Sequence, residues 1–345
     1  MSDYQQEQFD YKNFILQRPH VFILGAGATI AAIPNGDKNG RKSSVMNGFI
    51  ENIGARDLFK KYNLDIQGGN LEDIYSEIHD KPELKVLTQE LENRIIEYFS
   101  SLEIPDSPTI YDYLLLSLRS KDYIFSFNWD DLLIQAYQRV YKITKNLPKL
   151  GFLHGNINLG RCINCGSIES YCNLTCRKCG GKLMRPQILF PVKEKDYTQD
   201  PYIKNCWEAF LEILSQATIV TIFGYSAPKS DIIAMKAMGK AFSTTFRRLD
   251  QIEVIDIKEE AELYEIWAPF IEPTNYHFKV RKTLFESFIA EFPRRSIEGY
   301  WERYFNNWWG NSKIQLSENL SFKQLADLTK PILEKEEKNE YGIFM

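Results

Sequence analysis

Long apolar runs are missing from this 345-residue chain, and no stretch approaches the ~20 residues needed to cross a bilayer. Net charge is also small, −4 from 42 basic and 46 acidic residues, so bulk electrostatics give no sign of nucleic-acid binding. The opening residues, MSDYQQEQFDYKNF, lack the charged-then-apolar layout of a secretion signal, and the expected compartment is the cytoplasm. Internal repeats and low-complexity blocks are absent too. What remains is a chain with 44% hydrophobic residues, suited to one large globular domain or two smaller ones.

The pattern along the chain alternates between strand and helix. HVFILGAGAT (20–29) reads as a buried strand running into a glycine turn, followed by a polar, glycine-rich loop. From about 45 to 119 the apolar residues recur three and four apart, which predicts an inserted helical module. YIFSF (123–127) and KLGFLHG (149–155) are short strand candidates, and MRPQILFP (184–191) reads as extended. ATIVTIFGYS (217–226) and QIEVIDI (251–257) are strands separated by a predicted helix, DIIAMKAMGKAF. This order predicts an α/β fold, a parallel sheet with helices on both faces.

Gly25-Ala26-Gly27 follows the first strand and allows backbone amides to approach a pyrophosphate. The full dinucleotide fingerprint needs a third glycine where this chain has Ile30, so a plain tight turn is the competing reading. The cysteines speak more clearly. Cys162/Cys165 and Cys176/Cys179 form two Cys-x-x-Cys pairs, a thiolate set that favours tetrahedral, structural zinc. Cys172 is a spare, and Cys206 lies on an apolar helix and reads as core.

Asn128 opens a predicted helix, so it is either a cap or a site residue; Asp130 and Asp131 have a bland explanation in the helix dipole. His154 is one of four histidines and stands at a strand end, where it could accept a proton or be structural. Asp256 ends a strand, placed either to bind a ribose diol or to cap the next helix.

Taken in order, these motifs resemble the sirtuin family: GAGATIAAIP (25–34), SFNWD (126–130), LHG (153–155), the paired cysteines, RPQILF (185–190), FGYS (223–226) and EVID (253–256). The resemblance covers roughly residues 19–258. It implies a Rossmann-like parallel sheet with an inserted helical module (about 45–119), a small zinc ribbon (161–183), and NAD in the cleft between them. It leaves 1–18 as an N-terminal extension and 259–345 as a C-terminal helical extension. By the same resemblance Gly25, Ala26 and Gly27 form the phosphate loop, with Thr29, Pro34 and Asp37 also contacting the dinucleotide. Asn128 and Asp130 serve the ribose and nicotinamide pocket, His154 is the general base, and Gly224, Ser226 and Asp256 face the adenosine half.

Three departures from the deacylases of that family point to water as the nucleophile. Asn35-Gly36-Asp37 stands where the family usually has Asp-Phe-Arg, Pro191 follows Phe190 where Gly-Glu is usual, and Trp129 replaces a smaller residue. The expected activity is therefore NAD hydrolysis, in antiviral defence, with a homo-oligomer or protein partner as activator. The alternatives are NAD-dependent deacylation of protein lysine and sensing of an NAD derivative without turnover. The aromatic cluster Tyr300, Trp301, Tyr304, Phe305, Trp308 and Trp309 reads either as an assembly surface or as ordinary packing.

Overall fold

The computed structural model describes residues 16–338, apart from 44, 65, 67–68, 172–173, 186–187, 193–194, 229–230, 243–250, 272–276 and 311–313. Most of the 1–18 extension and the spare Cys172 therefore lie outside the described residues.

β1 (His20–Leu24) is buried along its whole length. Side chains alternate across a strand. Phe22 and Leu24 accordingly enter one apolar core, while Val21 and Ile23 enter a second on the opposite face. Around β1 lie β2 (Tyr123–Ser126), β3 (Lys149–Phe152), β7 (Ile219–Phe223), β8 (Gln251–Ile255) and β9 (His277–Arg281). They form one six-stranded sheet in the order β3-β2-β1-β7-β8-β9, parallel at every pairing. Counting only these strands gives 3-2-1-4-5-6, the dinucleotide-fold order, and the sequence reverses direction between β1 and β7.

The short helix α1 (Ala26–Ala32) leaves β1 directly. The helical module follows as α2 (Phe49–Asn52), α3 (Arg56–Lys61), α4 (Leu71–His79), α5 (Lys85–Ser100) and α6 (Ile110–Leu116). Its starts are chemically marked: Asn70 accepts the amide of Glu72 at 2.8 Å, and Thr109 forms a capping box with Asp112. The apolar stripe Leu71, Ile74, Tyr75 and Ile78 of α4 packs into the same core as Leu87, Leu91 and Ile95 of α5. After β2 comes α7 (Leu132–Val140), whose Leu132, Leu133, Ala136 and Val140 are buried. A small antiparallel sheet, β5-β4-β6, is built from β4 (Leu159–Cys162), β5 (Ile168–Ser170) and β6 (Leu183–Met184). α8 (Pro201–Gln216), α9 (Ile232–Phe242) and α10 (Glu260–Ile271) complete the layers, with Cys206 buried on α8 as expected.

Two expectations need correction. The sheet does not end before residue 259, because β9 adds a sixth strand within the expected C-terminal helical extension. HFKVR carries two basic residues and is only half-buried, which is how an edge strand is protected and why its signal was weak. Second, the 184–191 stretch read as extended holds regular strand only at Met184, the end of β6, among the described residues. Phe190 and Pro191 are irregular, in keeping with a proline that has no N–H for a ladder.

The C-terminal part holds α11 (Phe288–Glu291), α12 (Ser296–Phe305) and α13 (Phe322–Glu337). Most of its aromatics pack rather than project: Tyr300 is buried with Phe288, Phe292 and Ile297 against Ile219, and Trp301, Tyr304, Phe305 and Trp308 surround them. Trp309 alone of that group is 65% exposed. Buried His20 bridges Ser296 (3.0 Å) and Thr221 (2.8 Å), tying α12 to the sheet. Arg294 is a second tie. Its guanidinium meets both carboxylate oxygens of Glu336 at 2.7 Å and the carbonyls of Leu118 and Asn146 at 2.9 and 2.8 Å. No helix among the described residues is long and apolar enough to cross a membrane.

Candidate active site

A doubly wound sheet leaves a crevice beyond the carboxyl ends of its strands where the strand order reverses. A cavity of about 1420 Å³ opens at that point, larger than the ~300–1,000 Å³ usual for one small ligand. Its floor is made by the turns that follow β1 and β7, which interlock closely. The Gly25 amide donates to Phe223 O (3.0 Å), and the Gly27 amide to Gly224 O (2.9 Å). A Cβ on Gly27 would stand 2.7 Å from Gly224 Cα. Gly224 has φ +61°, and a Cβ there would stand 2.3 Å from the Ala28 nitrogen. The third glycine missing from the local fingerprint is thus supplied by a strand far along the chain. With two of its amides committed to β7, the first turn contributes close approach more than free donors.

Thr29 is the hub of a buried network beside this turn. Its hydroxyl donates to Asp130 (2.8 Å), contacts the Tyr111 hydroxyl (2.9 Å) and receives the Asn128 amide at 2.9 Å. That amide also donates to the Gly25 carbonyl at 2.9 Å. Because a carbonyl only accepts, this contact fixes which end of the Asn128 side chain is nitrogen and leaves Oδ1 as the acceptor. Burial pushes the Asp130 carboxyl up to about 6, against the relief of the Thr29 hydroxyl and the Leu132 amide.

His154 stands just past β3. Its turn is set by Gly155 at φ +78°, by Leu153 N to Ser126 O (2.8 Å) and by its own carbonyl accepting from Leu189 N (3.0 Å). The ring packs edge-on against Phe127 and parallel to Tyr197, with centroids at 4.8 and 6.1 Å. The residue is 5% exposed yet lines the cavity. Desolvation pushes its pKa down to about 3, with Asp231 opposing and Lys195 reinforcing, so the imidazole is neutral at neutral pH.

Gly25, Ala26, Gly27, Thr29 and Pro34 all line this cavity, as do Asn128, Asp130, His154, Gly224, Ser226 and Asp256. Asp37 is not brought there. Its carboxylate accepts the amides of Asn39 (2.9 Å), Arg41 (2.8 Å) and Glu103 (3.0 Å), which makes it the organiser of its own loop. Conversely, sequence reasoning passed over three residues at the cavity wall. Asp231 precedes α9 and reads locally as a helix cap, Lys195 sits in a charged run that looks solvated, and Tyr225 looks like filler after a glycine. Nothing local marks that they meet.

The four cysteines Cys162, Cys165, Cys176 and Cys179 gather with their sulfurs within 4.8 Å of one another. Bonds of ~2.3 Å in a zinc tetrahedron put sulfurs roughly 3.8 Å apart. The Cys162–Cys179 and Cys165–Cys176 separations, 3.4 and 3.6 Å, fit that cage. Four thiolates close the coordination shell, and the cluster is consistent with structural zinc. Its cysteines do not line the cavity.

No family model matches the chain. Among curated proteins it is similar to NAD-dependent protein deacylase 2 of Pyrobaculum aerophilum, 25% identical over 144 residues, 38% of this chain and 54% of the relative. The chain spans about half the length of the curated relative it matches. A solved structure described as the structural basis for sirtuin substrate affinity is 16% identical, covering 84% of this chain and 96% of that one with a TM-score of 0.36. A Sir2 homologue–NAD complex is 15% identical over 85% and 94% of the two chains, with a TM-score of 0.31.

Proposed function

We propose that this chain binds NAD across the strand switch point and hydrolyses the bond between nicotinamide and ribose, releasing nicotinamide and ADP-ribose. The observation that carries the reading is the meeting of Asn128, His154 and two interlocked glycine turns on one cavity. Bound NAD supplies a cationic pyridinium, so nicotinamide departs neutral and needs no acid, unlike the leaving groups that paired carboxylates serve in ordinary glycosidases. Asn128, locked by Gly25 and Thr29, offers Oδ1 to a ribose hydroxyl or a water. His154 accepts the proton, a role typically worth ~10²–10⁴-fold. Gly25, Ala26 and Gly27 let the pyrophosphate approach the backbone, with Thr29, Asp130 and Pro34 beside them. Gly224, Ser226 and Asp256 border the adenosine half, and Asp37 acts at one remove by holding its loop. The catalytic unit is assigned to residues 19–281, so that β9 is included.

Water as nucleophile is supported by what covers Phe190 and Pro191. Tyr75 of α4 stacks on Phe190 at 5.4 Å, Trp129 packs tilted against the same ring at 5.5 Å, and Ser76 Oγ donates to the Pro191 carbonyl at 3.2 Å. A peptide added as an extra strand needs main-chain bonds that this covered, irregular segment does not offer. Deacylation is the second reading, favoured by the printed activity of the curated relative and by the cysteine cluster. A hydrolase of this kind depletes the NAD of its own cell, and we place it in antiviral defence, restrained until a homo-oligomer or protein partner forms.

Nicotinamide release from NAD, with and without an acyl-lysine peptide, separates the readings. Release with free ADP-ribose and no peptide is expected, falling at least 100-fold in Asn128→Ala and His154→Ala. Release only with peptide, yielding acylated ADP-ribose, makes the chain a deacylase, and full activity in either variant removes the site assignment.

A further inference from the structure

His154 lines the cavity with a buried Nε2 that has no hydrogen-bond partner among the described residues. A polar atom held out of water carries an uncompensated desolvation cost unless something in its cycle partners it. Facing that nitrogen, 3.7 Å away, is Oδ1 of Asp231. This carboxylate is itself buried and carefully held. Lys195 Nζ pairs with Oδ1, and the Tyr225 hydroxyl donates to Oδ2 at 2.7 Å. Burial alone would raise the Asp231 pKa, yet attraction to His154 when its ring is protonated, the Lys195 charge and these two hydrogen bonds hold it below the usual carboxylate value. An ionised, oriented carboxylate thus stands just beyond bonding distance of an unpartnered imidazole nitrogen, at the wall of the cavity where a base is required. Catalytic hydrogen bonds in unliganded sites are often long and tighten on binding.

We propose that Asp231 is the positioning residue for His154: it fixes the imidazole as the Nε2–H form, leaves Nδ1 to accept the proton, and closes onto the ring as that proton arrives. Lys195 and Tyr225 keep the carboxylate charged and aimed, and Tyr197 stacks along the other face of the ring. The logic is that of an acid orienting a histidine base. In the hydrolytic step the water oxygen bonds to the ribose carbon, the carbon–nitrogen electron pair leaves with nicotinamide, and the displaced proton passes to His154 and then to solvent. The kinetic arm of the proposal rests on the hydrolase reading; the tautomer does not.

Two measurements on the full chain test it. The chain has four histidines, so nitrogen NMR on histidine-labelled protein is tractable, with His154→Gln to assign the ring. Wild type is expected to show the Nε2–H form of His154, and Asp231→Asn, which offers an amide in place of a carboxylate, is expected to lose that preference. In nicotinamide-release kinetics Asp231→Asn should lower kcat about 100-fold with KM for NAD within about 2-fold, and Asp231→Glu should recover part of it. If Asp231→Asn fails to fold, Tyr225→Phe, which keeps the carboxylate but removes one of its holds, should show the same kcat-only loss at about tenfold. An Nδ1–H form in wild type, or a wild-type kcat and tautomer in Asp231→Asn, overturns the role of Asp231. A chain that releases no nicotinamide overturns the hydrolase reading instead, and the nitrogen spectrum still decides the tautomer.

Discussion

Replacing Gly224 by alanine tests the interlocked turns directly. Two costs add there. The residue sits at φ +61°, where an L side chain costs ~1–2 kcal/mol. The new Cβ would also stand 2.3 Å from Ala28 N and 2.5 Å from both Gly27 Cα and its carbonyl carbon, all backbone atoms that cannot rotate away. Overpacking of this kind adds ~1–3 kcal/mol, so the total is about 2–5 kcal/mol. Gly40 provides the control. Its φ is +79°, and a Cβ there meets nothing within 4 Å, so Gly40→Ala carries the backbone cost alone. Urea denaturation of both variants gives the contact contribution by difference, expected at ~1–3 kcal/mol. Calorimetric titration with NAD should show at least tenfold weaker binding for Gly224→Ala and no change for Gly40→Ala. Equal stability in the two variants would refute the argument that the turns touch.

Three further outcomes follow from the structure. Stripping the four-cysteine cluster with a strong chelator, or Cys176→Ser, should release one zinc per chain by metal analysis and lower the melting temperature. The tie between Arg294 and Glu336 is buried, so Arg294→Met should cost ~3–5 kcal/mol by stranding a carboxylate, while Arg294→Met with Glu336→Met should recover most of it in the same denaturation assay. The third concerns acid. Desolvation pushes His20 from 6.5 to about 3, with Asp122 opposing and Lys121 reinforcing. The unfolded chain therefore takes up a proton at this position near pH 6.5 and the folded chain only near 3. The stability it contributes is fully present above 6.5 and is lost as pH falls toward 3, about 2 kcal/mol of it between pH 7 and 5. Asp130 and Glu253 are buried and raised to about 6 and about 7, so their contributions run the other way and are lost as pH rises. The clean readout is then a difference: His20→Asn should lose less stability than wild type between pH 7 and 5.

What could be read from the sequence was whatever chemistry is local. The cysteine pairs declare a cage because each knuckle is four residues long, and β1, β7 and β8 declare themselves because a strand buried on both faces is a near-continuous apolar run. The rest depends on contacts between distant segments. The glycine fingerprint looked incomplete at Ile30 because its close-packing partner is Gly224, in the turn after another strand. Asp37 looked like a ligand-loop acid, and only the fold reveals that three amides saturate it. Asp231 and Lys195 are ordinary surface-type residues until the chain brings them together under His154. β9 escaped notice because an edge strand is protected by the same charges that hide its pattern.

The placement of β1 bears on how the chain is made. As the central strand it emerges first from the ribosome, yet its two neighbours, β2 and β7, follow about 100 and about 200 residues later. At ~5–20 residues per second, the second neighbour arrives roughly 10–40 s after the first strand is synthesised. For that interval HVFIL, apolar in every residue after His20, has at least one unpaired edge, the condition in which nascent chains associate with one another. Yield in a foreign host should therefore respond to chaperone supply and growth temperature more than to any substitution on the finished surface.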